Sequence, residues 1–265
     1  MNRVVPGVLM AAGCIALLLW GSGNTIRFVL LLVGVIGLKE YFRMTCPYLA
    51  GLLLQLSILT ALLPLLGVFS GSLEAVIGGL VICFMVTIFI SLKQFNALPN
   101  VLNYITATCF GALYISVCLA YLALIQTQKY GSFWLLVLLA LTAGSDTGAY
   151  YIGRKFGNKK LLPRVSPKKT IAGGIGGLCT GTLAAVAVSL FLPIPEHLVR
   201  LLPAAFLLII MGVVGDLAES VIKRSCNSKD SGTILGGHGG LLDRIDSLLL
   251  AGPTLYYLLA WRVLQ

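Results

Sequence analysis

Long apolar runs follow one another from residue 4 to residue 261, and they constrain this chain more than any motif does. Only 11% of the residues are charged and 58% are hydrophobic, where a soluble domain carries roughly a quarter charged residues. The mean hydropathy is +0.97. The sequence therefore predicts an integral membrane protein. Nine segments are expected to span: 4–20, 26–38, 49–69, 73–91, 104–126, 132–153, 170–192, 198–222 and 241–261. The second is short against the roughly 20 residues that a spanning helix needs. Gly34, Gly37 and the nearby GSGN break leave its boundaries open. The expected fold class is all-α and polytopic, with about nine transmembrane helices. Residues 1–130 form the N-terminal helices and 131–265 the C-terminal region of one continuous membrane domain.

The net charge is +10, from 19 Lys and Arg against 9 Asp and Glu. In a membrane protein that excess sets orientation before it suggests nucleic acid. With the N-terminus inside, the inner loops collect Arg3, Lys39, Arg43, Lys93, the seven cations of 154–169, Lys223, Arg224, Lys229 and Arg244. The outer side keeps only Arg27, Lys129, Arg200 and Arg262. The expectation is N-inside and C-outside. Two loops supply most of the inner excess, so a ligand competes with topology as their explanation. No small-residue cleavage site follows the first apolar run, which is read as a span.

The seven cysteines are odd in number, scattered and without a CxxC, and read as small core residues. Gly173, Gly177 and Gly181 share one helix face and permit close helix packing. The first turn of that segment, TIAGGIGG, also follows a basic loop and could border a phosphate site.

Five acids fall within or at the ends of the last four spans: Asp146, Asp216, Glu219, Asp243 and Asp246. In the expected topology all five gather in the inner leaflet. Carboxylates at membrane depth are costly and normally functional. Several meeting in one place repel each other unless a cation lies between them, and oxygen ligands suit Mg²⁺. The competing explanation is simple pairing, of Asp243 with Arg244 or of Glu219 with Lys223. Lys168, Lys169, Lys223, Arg224 and Lys229 could neutralise phosphates, or serve only as an inner-face basic loop. Gly236, Gly237, Gly239 and Gly240 would let backbone N–H groups approach phosphate oxygens. His238 among them reads as a hydrogen-bond donor or helix cap. It is far from His197, so a histidine zinc site is not expected. The P-loop, the GxSxG elbow, HxGH, DDxxD and DGxxAR are all absent.

The run Ser220-Val-Ile-Lys-Arg, then Lys229-Asp230, then Gly237-His238-Gly239-Gly240-Leu-Leu-Asp243-Arg244-Ile-Asp246 resembles the signature of the phosphatidate cytidylyltransferases, or CDP-diacylglycerol synthases. Three further stretches are similar to that family: Ser145 to Tyr150 (SDTGAY), Ser166 to Thr170 (SPKKT) and Gly215 to Ser220 (GDLAES). One departure is Ala172, where the family commonly has Glu or Gln. The resemblance implies a nucleotidyltransferase that makes CDP-diacylglycerol and pyrophosphate from CTP and phosphatidate for phospholipid biosynthesis. It implies Asp216, Asp243 and Asp246 as the carboxylates for Mg²⁺, acting with Lys223 and Arg224. It implies Asp146, Ser166, Lys168, Lys169, Thr170, Lys229, His238, Gly239, Gly240 and Arg244 as substrate-binding residues. A second cation such as K⁺ is compatible with the carboxylates, and a homodimer with the family. The expected place is a bacterial-type inner membrane, with the site facing the cytoplasm and no nucleic-acid partner. Two other readings stay open: a CTP-dependent polyprenol or dolichol kinase, which would release CDP, and a transporter.

Overall fold

A computed structural model describes residues 4–163, 165–193, 198–234 and 239–264, with side chains described from residue 11 and not at residue 198. The protein is almost wholly helical. Its helices are α1 (Val4–Trp20), α2 (Gly23–Thr45), α3 (Gly51–Leu66), α4 (Leu73–Lys93), α5 (Val101–Gly111), α6 (Cys118–Ile125), α7 (Gly131–Phe156), α8 (Ile171–Ser189), α9 (Leu198–Ser225) and α10 (Leu242–Ala260). A π-helical turn, Ala112–Val117, joins α5 to α6 as one rod, Val101–Ile125.

Among the described residues, six helical stretches are long and apolar enough to cross a membrane: Gly51–Ser70, Leu73–Lys93, Val101–Ile125, Gly131–Phe156, Ile171–Ser189 and Val199–Ser225. The other expected segments coincide with α1, which is apolar but only 17 residues long, and with α2 and α10, which carry charges. Helix α2 runs for 23 residues, longer than the expected 26–38, because Ser22 caps it by accepting from Thr25 N and it continues through Thr45. Its Arg27, Lys39, Glu40 and Arg43 make it less apolar than the six. Helix α10 carries Asp243, Arg244 and Asp246 in its first turns.

The rod Val101–Ile125 is apolar around its whole circumference and is the central pillar. Tyr104, Ile115, Leu119, Leu124 and Ile125 are fully buried, as expected of a helix with no polar face. Around it, large apolar side chains such as Leu52, Leu59, Met85, Phe89, Leu183 and Phe206 point outward. A soluble monomer does not tolerate so extensive an exposed apolar surface, whereas lipid does. Trp20 and Trp261, at the C-terminal ends of α1 and α10, are 81% and 72% exposed, the placement of interfacial aromatics.

The expected basic loop 154–169 is not irregular throughout. It contains an antiparallel hairpin of β1 (Lys160–Leu162) and β2 (Ser166–Thr170), which pairs Lys160 with Thr170 and Leu162 with Ser166. Strand β2 runs directly into α8, and Thr170 caps that helix by accepting from Gly173 N at 3.1 Å.

The glycine face expected on α8 is present and packs on α7. A Cβ at Gly177 would lie 2.9 Å from the Ser145 carbonyl oxygen, and one at Gly181 2.8 Å from that of Leu141. Thr180 Oγ1 donates across the pair to Gly144 O at 2.8 Å. Gly177→Val is therefore expected to lower the thermal midpoint of the detergent-solubilised protein, at a cost of about 1–3 kcal/mol from overpacking. Gly78→Ala, where a Cβ meets nothing within 4 Å, should not lower it.

Candidate functional site

Four helix ends and the hairpin meet on one side of the molecule: the C-terminal parts of α7 and α9, the N-terminal parts of α8 and α10, and strand β2. A cavity of about 240 Å³ lies between them. Asp146, Tyr150, Lys168, Lys169, Thr170, Asp216 and Ser247 are among its lining residues. Small residues bring the backbones close enough to form it. A Cβ at Gly215 would lie 2.5 Å from Asp246 O, so α9 and α10 touch where each carries a carboxylate.

Asp146, Asp216 and Asp246 come from three helices and lie near enough to repel one another electrostatically. Positive charge offsets that repulsion. Lys169 Nζ sits 2.5 Å from Asp216 Oδ2, and Lys169 and Arg244 both attract Asp146. Lys168, next to Lys169 on β2, is exposed at the cavity.

A second ionic group adjoins the first. Lys223 bridges Glu219 and Asp243, with its ammonium 2.6 Å from Glu219 Oε2 and in direct contact with Asp243 Oδ1. The Glu219 side chain is completely buried, and its Oε1 has no hydrogen-bond partner among the described residues. Asp243 Oδ2 accepts from Ser231 N at 3.0 Å, Ser231 Oγ at 2.9 Å and Gly240 N at 2.8 Å. The expected pairing of Glu219 with Lys223 is present. Asp243 pairs with Lys223 rather than with Arg244.

The structure thus divides the three expected metal ligands. Asp216 and Asp246 lie in the carboxylate group with Asp146, while Asp243 is held by Lys223, Ser231 and Gly240. Among the described residues, no three His, Cys, Asp or Glu side chains form a ready-made metal cage. The donor set still fits Mg²⁺, which binds through one or two carboxylates and takes phosphate oxygens and water for the rest.

Other expected residues take local roles. Thr170 is the α8 cap and also lines the cavity. Ser166 begins β2 and is half-buried. Arg224 donates to Ser228 O at 3.2 Å, closing the turn after α9. Lys229 is exposed on the linker that follows, and Arg244 is exposed on α10. Gly239 adopts a φ of +80°, and a Cβ there would lie 2.7 Å from Asp243 Oδ2. Gly239 and Gly240 thus wrap a protein carboxylate. Gly236, Gly237 and both histidines, His197 and His238, lie outside the described residues.

Two contributors were not anticipated. Glu40 of α2 is buried and reaches the start of α10. Its signal was faint: it is the sole acid of α2, but Lys39 and Arg43 beside it make that stretch look like a loop. Tyr114, in the π-helical turn, donates to Gly215 O at 3.3 Å, next to Asp216. π-Turns collect at functional sites, but nothing in the local sequence marks one here.

Removing Lys223 would leave Glu219 and Asp243 without their shared counter-charge. Lys223→Met should cost roughly 3–5 kcal/mol, the range for breaking a buried ion pair, and sharply reduce folded protein in size-exclusion profiles. Adding Glu219→Gln to it should recover part of the loss. A single variant as stable as the wild type would contradict this geometry.

The cytidylyltransferase family model matches residues 1–261. The chain is 34% identical to a phosphatidate cytidylyltransferase of Bacillus subtilis (strain 168), over 98% of this chain and 97% of that protein. It is 31% identical to a phosphatidate cytidylyltransferase of Staphylococcus haemolyticus (strain JCSC1435), over 97% of this chain and 98% of the relative. A shorter match of 39% identity joins 53% of the chain to 54% of a phosphatidate cytidylyltransferase of Staphylococcus saprophyticus. The similarity therefore extends through the N-terminal helices as well as the motif-bearing half, and the chain belongs to the cytidylyltransferase family.

Proposed function

We infer that this protein is a phosphatidate cytidylyltransferase of phospholipid biosynthesis. The observation that carries the mechanism is the cavity where Asp146 and Asp216 face Lys168 and Lys169, beside Asp246. In the reaction, an oxygen of the lipid phosphate bonds to the α-phosphorus of CTP. The bond from that phosphorus to the β-bridging oxygen breaks, and pyrophosphate leaves. The attacking oxygen is already anionic, so no strong general base is required. Two polyanions must be brought together, so charge neutralisation is the main requirement.

Lys168 and Lys169 are placed to receive phosphate oxygens. Lys169 is held by Asp216 in the structure, and a phosphate entering the cavity competes for the same ammonium. Arg244, which attracts Asp146, and the exposed Arg224 and Lys229 add positive charge for the phosphates, while Lys223 stays with Glu219 and Asp243, and Ser166 and Thr170 hold the lysine-bearing strand. Asp216 and Asp246, with Asp146 beside them, would hold Mg²⁺, and Asp243 could join only by yielding its contact with Lys223. When bound, the metal supplies positive charge against the triphosphate. A second cation such as K⁺ could share the same carboxylates.

The proposed topology has nine spans, the N-terminus inside and the C-terminus outside. The hydrogen bonds from the start of α10 to the end of α2 support it, because they place those two ends on one side, as alternation requires. The site then faces the cytoplasm of a bacterial inner membrane, where soluble CTP and membrane phosphatidate both have access. Residues 1–130 frame the site-bearing helices of 131–265, and a homodimer would leave this site within each copy.

Purified protein given labelled CTP and phosphatidate should form CDP-diacylglycerol and pyrophosphate, and EDTA should stop it. Release of CDP instead would identify a lipid kinase. Asp246→Asn should abolish turnover in protein that still inserts, and Lys168→Ala should raise KM for CTP or phosphatidate. For topology, single cysteines replacing Lys159 and Lys129 should react with an impermeant maleimide from opposite sides of the membrane.

A further inference from the structure

Helix α10 begins without a cap of its own. Its N-cap residue is Leu241, whose side chain cannot accept a hydrogen bond. The first N–H groups of a helix need acceptors, and its N-terminus attracts negative charge. Glu40 supplies both from a position 201 residues earlier. Its Oε1 accepts from Leu241 N at 3.0 Å, and its Oε2 accepts from Leu242 N at 2.9 Å. The residue is 2% exposed, so water cannot replace these bonds.

The same carboxylate is linked to the ionic group of the site. Ser231 Oγ lies 3.1 Å from Glu40 Oε2 and 2.9 Å from Asp243 Oδ2. A hydroxyl has one hydrogen to donate, so the two acids share a single donor. The linker is shaped around this arrangement. A Cβ at Gly232 would lie 2.7 Å from Glu40 Cδ, and one at Gly240 2.5 Å from Glu40 Oε2.

We propose that Glu40 is a positioning residue for cytidylyl transfer. It docks the start of α10 on α2, and so determines where Asp243 and, three residues on, Asp246 present their carboxylates. This rests on the function proposed above and extends the working parts of the site into the N-terminal half. Glu40 touches no substrate in this assignment; it acts through Ser231 and the α10 backbone.

Glu40→Gln keeps the size of the side chain but turns one acceptor into a donor facing N–H or O–H groups. Gly232→Ala presses on the same carboxylate without changing its charge. Both variants should be purified with the wild type and compared by folded fraction, thermal midpoint, kcat per folded molecule and KM for CTP. The expected result for each is a fall in kcat of roughly tenfold or more, the scale of a lost hydrogen bond to a charged group, with KM for CTP within about twofold and the folded fraction maintained. Normal kcat per folded molecule in Glu40→Gln, or activity that falls only in step with folded protein, would overturn the proposal. If Glu40→Gln does not fold, Gly232→Ala decides the matter by the same criteria. Absence of CDP-diacylglycerol formation by the wild type would instead defeat the functional reading, so the two failures are distinguishable.

Discussion

A charged carboxylate cannot be carried into an apolar helix bundle without a counter-charge or hydrogen-bond donors, and the architecture follows from meeting that condition several times in one place. Glu219 is completely buried and depends on Lys223. The same ammonium reaches Asp243, which ties the end of α9 to the start of α10. Asp243 takes its remaining donors from the linker between those helices. Glu40 is satisfied by the α10 N-terminus, which ties α2 to the same point. Asp243 and Glu40 thus lock together segments that a purely apolar interface would leave free to slide, while Glu219 holds the shared lysine within α9.

Close backbone approach is the second condition. Helices in lipid gain little from burying apolar surface against each other, so small residues at their contacts matter more. The glycines of α8 let it sit against α7, which carries Asp146, while the β2 strand leading into α8 carries Lys168 and Lys169. Gly215 lets α9 meet α10 where Asp216 and Asp246 lie. The cavity is the space left where these close-packed pairs diverge beside the hairpin. Its walls mix apolar side chains with charges, which suits a lipid headgroup meeting a nucleotide.

The apolar runs, the glycine face on α8 and the gathering of acids with bases were legible because each is a local pattern with a direct physical cost. The limits of α2 were less legible, since its second half carries Lys39, Glu40 and Arg43, which looks like a loop until Glu40 is seen to face α10. The hairpin leaves no periodic signal in the sequence, because β1 and β2 span only three and five residues. Pairing across long separations was the least accessible. Lys169 lies 47 positions before its partner Asp216 (216 − 169), and nothing local selects that partner. The glycines before α10 suggested phosphate by composition, yet the two described ones surround Asp243 and Glu40.

Carboxylates from α7, α9 and α10 and the lysines of β2 are proposed to form one site for a triphosphate at the inner membrane boundary. A structure with CTP and magnesium bound tests it most directly. The triphosphate should lie in the cavity beside Lys168 or Lys169, with the metal held by oxygens of Asp216 or Asp246. A triphosphate bound elsewhere, with Lys169 still closed on Asp216 and no metal at either aspartate, would contradict it.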